Sequence, residues 1–236
     1  MDPDIRERSA LALLDAWPWD RGGVVIGGYA VCAYGPPRYS ADVDVVIPYA
    51  SAQAIRLWLR ERGLRLEAHS NPNPQSHEGP VERFGARGVT LDLLAGAVRD
   101  RDAQVDVPEA WISLRPRKVR LETMSARSGT EIPIARPEAL WALKLQSGRD
   151  SDLSDLFAIA PEPLDTDEVH ELFLRLRSAP LVAKLRAVRK RLADERLFVD
   201  SLSRRELGRP SDPENRRKWS MFVSQVDTIL GPELLR

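Results

Sequence analysis

Asp42 and Asp44 stand two residues apart in the apolar run Val43, Val45, Val46, Ile47. In a β-strand, residues two apart face the same side. The spacing therefore puts two carboxylates on one face and sends Val43 and Val45 into the core behind them. Two like charges held this close repel unless something positive lies between them, and a hard divalent cation such as Mg²⁺ suits all-oxygen ligands. A second feature precedes them: the apolar run Val24-Val25-Ile26 ends in Gly27-Gly28. Glycine lets a backbone approach a phosphate closely, and the N-terminus of a following helix favours negative charge. Together these residues predict a triphosphate site that needs no P-loop. Neither G-x-x-x-x-G-K-[ST] nor G-x-G-x-x-G occurs in the chain. The plainer alternative, a glycine turn followed by two solvent-facing aspartates on an edge strand, fits poorly with the surrounding valines.

Asp92 is a third candidate. It lies between Leu91 and Leu93, and alternation places it with Thr90 and Leu94 on one face of its strand. An unpartnered carboxylate on such a strand is costly. It needs an arginine such as Arg87, a cap, or the cation shared with Asp42 and Asp44.

The elements that must position these acids follow from periodicity and punctuation. A first helix covers about residues 4–17 and ends before Pro18. Strands at about 23–27 and 42–47 flank a short helix at about 28–35, which Pro36-Pro37 breaks. Ser51 is expected to cap a helix over about 51–62, with Gly63 at its C-terminal end and a short strand from Leu64 to Ala68. Ser70 to Pro80 reads as a loop, either a surface excursion or a substrate-side lid. Strands 81–86 and 89–94 are joined at Arg87-Gly88, residues 99–116 read as irregular, and Arg117–Thr123 pairs with Glu131–Ile134 as a hairpin. Pro137 opens a helix at its favoured first turn, and helices follow at about 152–160, 165–176, 180–194, 196–206 and 213–230. The expected architecture is α/β (α+β): a mixed-sheet domain over residues 1–135 and a helical domain over 136–236.

Composition bounds the setting. The 236 residues carry 35 basic and 35 acidic side chains and a formal net charge of zero, so global basicity gives no argument for a nucleic-acid partner. The single cysteine, Cys32, allows no internal disulfide; it reads as a small core residue, and a reducing cytoplasm is the expected compartment. No apolar run reaches the length of a membrane span, and the charged N-terminus is not a signal peptide. His69, His77 and His170 are too scattered for a metal site. Two basic groups, Arg115 to Arg127 and the helical stripe Arg186, Arg189, Lys190, Arg191, either track a phosphate backbone or form solvated faces.

The stretch Gly23–Ile47 resembles the nucleotidyltransferase superfamily with the polymerase-beta-like palm, whose motif is an apolar strand, Gly-Gly or Gly-Ser, then Asp-x-Asp. Its form here, Gly27-Gly28 with Arg38-x-Ser40-x-Asp42-x-Asp44, is most similar to the AbiEii-type toxins of type IV toxin–antitoxin systems, which usually carry threonine where this chain has Ser40. The segment Ile134–Leu145, containing Pro137-Glu138 and Lys144, resembles a helix of the same group. Asp152-Leu153-Ser154-Asp155-Leu156 resembles its following Arg-Asp-x-x-Asp-Leu element, although Ser151 replaces the arginine and Arg149-Asp150 offers a second register. The resemblance implies that Asp42, Asp44 and Asp92 bind Mg²⁺, with Asp92 alternatively a base. It gives Gly27, Gly28, Arg38, Ser40, Lys144 and Asp155 to the nucleotide, and Asp152 or Asp155 to orienting Lys144 or activating the acceptor. Helix capping is the plain alternative for Asp152. The implied reaction moves a nucleoside monophosphate from an NTP to a hydroxyl, in RNA or a tRNA end, with a partner antitoxin. The alternatives are a small-molecule enzyme resembling aminoglycoside adenylyltransferases and a degenerate palm serving as a binding module; a glycosyltransferase reading of Asp-x-Asp is poorer.

Overall fold

The computed structural model describes residues 2–70, 81–86, 88–100, 102–194, 196 and 212–236. The Ser70–Pro80 loop expectation, apart from Ser70 itself, lies outside these residues, as do Arg87 and nearly all of the helix expected at 196–206. The chain is mixed α/β. One compact unit comprises Met1–Val98 with Val107–Arg136, and the other Arg99–Asp106 with Pro137–Arg236.

The first unit is built on a seven-stranded mixed sheet. Its strands are β1 (Val24–Ile26), β2 (Asp42–Ile47), β3 (Arg65–Ser70), β4 (Val81–Ala86), β5 (Val89–Ala95), β8 (Arg117–Val119) and β9 (Ile132–Ile134), in the order β3-β4-β5-β2-β1-β9-β8. β2 pairs parallel to β5 and antiparallel to β1, while β1 pairs parallel to β9. The centre of the sheet is apolar because Val24, Val25, Val43, Val45, Leu91 and Leu93 are all at most 1% exposed. At roughly 1.5–3 kcal/mol for each fully buried aliphatic side chain, this layer is what anchors β2 and β5.

Helix α1 (Pro3–Asp15) begins at Asp2, whose carboxylate accepts from the Asp4 backbone amide. It carries a buried carboxylate, Glu7, whose Oε2 accepts from the Thr123 hydroxyl and from the backbone amide and hydroxyl of Ser125. Asp15 at its other end accepts from the backbone amides of Gly129 and Thr130. These contacts tie α1 to the long β8–β9 connection.

Helix α2 (Gly27–Cys32) follows β1 directly, and buried Cys32 packs within it. Helix α3 (Ala52–Glu61) starts after Ser51, but Ser51 does not cap it: its hydroxyl donates to the Arg21 carbonyl at 2.6 Å. Gly63 takes φ +80°, and the amides of Gly63 and Leu64 turn back to the Arg60 and Leu59 carbonyls, so the helix stops there. Residues 99–100 and 105–112 are not irregular. They contribute to a two-stranded ribbon, β6 (Ala97–Asp100) and β7 (Val105–Pro108), followed by α4 (Glu109–Ile112).

The second unit is mostly helical: α5 (Pro137–Ser147), α6 (Asp150–Ile159), α7 (Thr166–Arg175), α8 (Ala179–Leu192), α9 (Pro213–Ile229) and α10 (Pro232–Leu235). Trp141, Phe157, Trp219 and Phe222 form an aromatic cluster with ring centroids 5.5–6.3 Å apart. Phe222 is fully buried at its centre. Phe222→Ala is expected to destabilise this unit by about 3–5 kcal/mol, read by urea denaturation; a loss under about 1 kcal/mol would show that the cluster collapses around the gap.

Candidate active site

Register assembles the acids. Asp44 lies opposite Ile26 of β1 on one side and opposite Asp92 of β5 on the other. Asp92 in turn lies opposite Arg83 of β4. Directly paired residues project from the same face of a sheet. Ile26, Asp44, Asp92 and Arg83 therefore form one row across four strands. Two residues along β2, Asp42 heads a parallel row with Thr90 and Gly85.

Arg83 is the functional candidate that the sequence reading misses. Its Nε donates to Asp92 Oδ1 at 2.8 Å and its Nη2 to Asp92 Oδ2 at 2.7 Å, a two-pronged fork. The same Nη2 lies 3.5 Å from Asp42 Oδ2. An arginine does partner Asp92, then, but it comes from the facing strand. The hydrogen bonds and charge of Asp92 hold the guanidinium well above its ordinary pKa, with Asp42 and Asp44 adding to the effect. The signal was present in the sequence. If Ala86 and Val89 pair at the hairpin end, antiparallel counting brings Arg83 opposite Asp92.

The glycines shape the other side of the row. Gly27 has φ +65°, and a Cβ there would overlap the Asp44 carboxylate. A Cβ on Gly28 would overlap the Ser40 hydroxyl and come within 3.1 Å of Arg38 Nη2. Gly27-Gly28 thus admits Asp44, Ser40 and Arg38 to one backbone corner. Ser40 also donates to the Asp42 carbonyl at 3.2 Å, which ties that corner to the start of β2. Beside Asp42 a cleft of about 400 Å³ is lined by Arg6, Glu67, Gly85 and Thr90 among others. Gly85 presents no side chain into it, and a Cβ there would overlap the Glu67 carboxylate.

The donor set fits a hard divalent cation in kind. Three carboxylates share one face of two adjacent strands, and a cation, the Arg83 guanidinium, already bridges two of them. Among the described residues no three acidic, histidine or cysteine side chains are drawn together as a metal cluster; Asp92 is instead turned onto Arg83.

The other sequence candidates lie in the helical unit. Lys144 is buried, and its Nζ donates to Asp152 Oδ1 at 3.1 Å and to Asp155 Oδ2 at 2.7 Å. Asp152 does not cap α6. It sits inside the first turn and accepts from the Ser147 hydroxyl and from Arg149 Nε, each at 2.7 Å. Burial alone would raise the Asp152 carboxyl, but the Lys144 charge and the hydrogen bonds from Arg149 and Ser147 outweigh it and hold the pKa below its usual range. Asp150 is exposed and pairs with Arg191. Of the basic stripe on α8, Arg186 donates to the Leu235 carbonyl and Arg189 pairs with Asp227. The other basic group is exposed at every member: Arg115, Arg117, Lys118, Arg120 and Arg127.

Two substitutions test these placements. Ala at Gly27 should cost more than Ala at Gly63, which has a similar φ of +80° but nothing within 4 Å of an added Cβ. The shared backbone strain is about 1–2 kcal/mol, so any excess at Gly27 in urea denaturation reports the Asp44 contact. Equal costs would mean that the turn does not hold Asp44. Lys144→Met should cost about 3–5 kcal/mol at neutral pH by leaving buried carboxylates uncompensated. Because Lys144 helps to depress the Asp152 pKa, the stabilisation it gives is present above the ordinary carboxylate range and is lost as pH falls through the folded value. The variant's deficit should therefore shrink on acidification, and a deficit constant with pH would contradict the pairing.

No family model matches the chain, and no curated protein sequence does. Among solved structures it is similar to the nucleotidyltransferase toxin MenT4 of Mycobacterium tuberculosis, at 16% identity over 98% of this chain and 85% of that one, with a TM-score of 0.48. It is similar also to a proposed nucleotidyltransferase from Thermotoga maritima, at 16% identity over 61% of this chain and 83% of that one, TM-score 0.41. A third is a proposed nucleotidyltransferase from Helicobacter pylori, at 16% identity over 96% of this chain and 92% of that one, TM-score 0.41.

Proposed function

We propose that the chain is a Mg²⁺-dependent nucleotidyltransferase that moves a nucleoside monophosphate from an NTP to a hydroxyl of RNA, such as a tRNA end, as an AbiEii-like toxin held in check by a partner antitoxin in the cytoplasm. The observation that carries the reading is the row Asp44–Asp92 beside Asp42, with the bare backbone of Gly27 against the Asp44 carboxylate.

In this proposal Asp42, Asp44 and Asp92 hold the cation, which when bound would neutralise charge on the phosphates. Gly27 and Gly28 leave the backbone open to close approach, while Arg38 and Ser40 supply a charge and a hydroxyl at the same corner. The acceptor oxygen attacks the α-phosphorus, the bond to pyrophosphate breaks in line, and the hydroxyl proton passes to a carboxylate of the set, Asp92. Lys144 keeps a supporting part. Asp152 and Asp155 balance its charge, so it fixes the corner between α5 and α6 rather than offering surplus positive charge to a phosphate. RNA as acceptor draws support from the five exposed cations before, on and after the edge strand β8.

The test is label transfer from each α-³²P-NTP, with Mg²⁺, to total RNA. Transfer to RNA is expected, and Asp44→Asn should lower it by at least about a hundredfold. Transfer that survives Asp44→Asn would remove the site assignment. Transfer to an aminoglycoside but not to RNA would make the protein a small-molecule enzyme. Transfer to neither would leave the fold as a binding module.

A further inference from the structure

Arg83 and a divalent cation would claim the same oxygens. The fork engages both oxygens of Asp92, and the same Nη2 reaches toward Asp42. The guanidinium can leave: the Arg83 side chain is 44% exposed and that of Asp42 37%, whereas Asp92 is 15% exposed and fixed on β5 between buried Leu91 and Leu93. The hairpin does not need the fork to hold its register. Phe84 next to Arg83 is 1% exposed, and Glu82 on its other side is held by Arg56 at 2.6 Å. β4 is therefore anchored on one face, and Arg83 is left to act on the other.

We propose that Arg83 is an internal counter-ion that occupies the cation position of the acid row, and that a divalent cation binds by displacing it. Resting on the reading of Asp42, Asp44 and Asp92 as cation ligands, this makes Arg83 the residue that sets how much free cation the site requires.

The test is Mn²⁺ titration of the full chain, with free Mn²⁺ read by electron paramagnetic resonance, for the wild type, Arg83→Gln and Arg83→Lys. Arg83→Gln is expected to bind Mn²⁺ about five- to tenfold more tightly, a modest factor because the rival pair is partly solvated. Arg83→Lys keeps the charge but not the fork and is expected to gain about two- to threefold. If Arg83→Gln fails to fold, as judged by circular dichroism, the lysine variant decides alone. Mn²⁺ binding by the wild type that is lost in Asp44→Asn but not tightened by either Arg83 substitution would overturn the counter-ion role and leave the acid site standing. No Mn²⁺ binding by any folded form would overturn the cation site itself and the counter-ion role with it.

Discussion

Three carboxylates on one face of two adjacent strands cannot stand without a positive charge among them. In the register of β2 against β5, Asp44 faces Asp92 directly, with Asp42 one repeat away. Like charges at that spacing are destabilising, and the valine and leucine layer behind them forbids the strands from turning the acids elsewhere. A one-residue slip of β2 would turn Asp42 and Asp44 into the core. The sheet thus fixes the acids, and the acids demand a cation. Arg83 meets that demand from the next strand, and its partial exposure makes it a replaceable answer rather than a permanent one.

The same economy explains the glycines. Gly27 is needed because the Asp44 carboxylate lies where a side chain would begin, and Gly28 because the Ser40 hydroxyl does the same with Arg38 close by. A backbone bared for its own side chains is equally bare to a phosphate. Sequence features that look like a ligand motif are thus also the packing solution for this corner. The Gly27 pattern by itself does not separate the two causes. The row of acids adds a second feature, since packing alone gives no reason to gather three carboxylates there.

The acid face was legible because a period of two is strict and valines mark its buried side. Asp42, Asp44 and Asp92 follow from alternation alone, and their pairing follows once β2 and β5 are known to be neighbours. That adjacency is not in the local sequence: β2 and β5 lie side by side although two strands intervene in the chain. Arg83 was within reach, because a two-residue connection fixes hairpin register, but its meaning depended on treating β4 and β5 as one counted unit. Glu7 was not legible. A glutamate in a charged N-terminal segment reads as solvated until Thr123 and Ser125, over a hundred residues away, supply its donors. Ser51 failed for the opposite reason: the residue type suits a cap, and a tertiary acceptor, the Arg21 carbonyl, took its hydroxyl instead.

Lys144 shows how a lysine's charge is taken up by the groups around it. The resemblance gives Lys144 to the nucleotide and Asp152 or Asp155 to orienting it. Both carboxylates lie within 3.1 Å of Nζ, and Arg149 adds to the balance on Asp152. A buried ion pair of this kind contributes little over an apolar replacement but is costly to break from one side, so it specifies the α5–α6 corner more than it stabilises it. Arg83 and Lys144 are therefore opposite cases of one rule. Each is a cation among aspartates; Lys144 is buried and doubly held, which suits a fixed joint, while Arg83 is half-exposed and forked to one partner, which suits exchange.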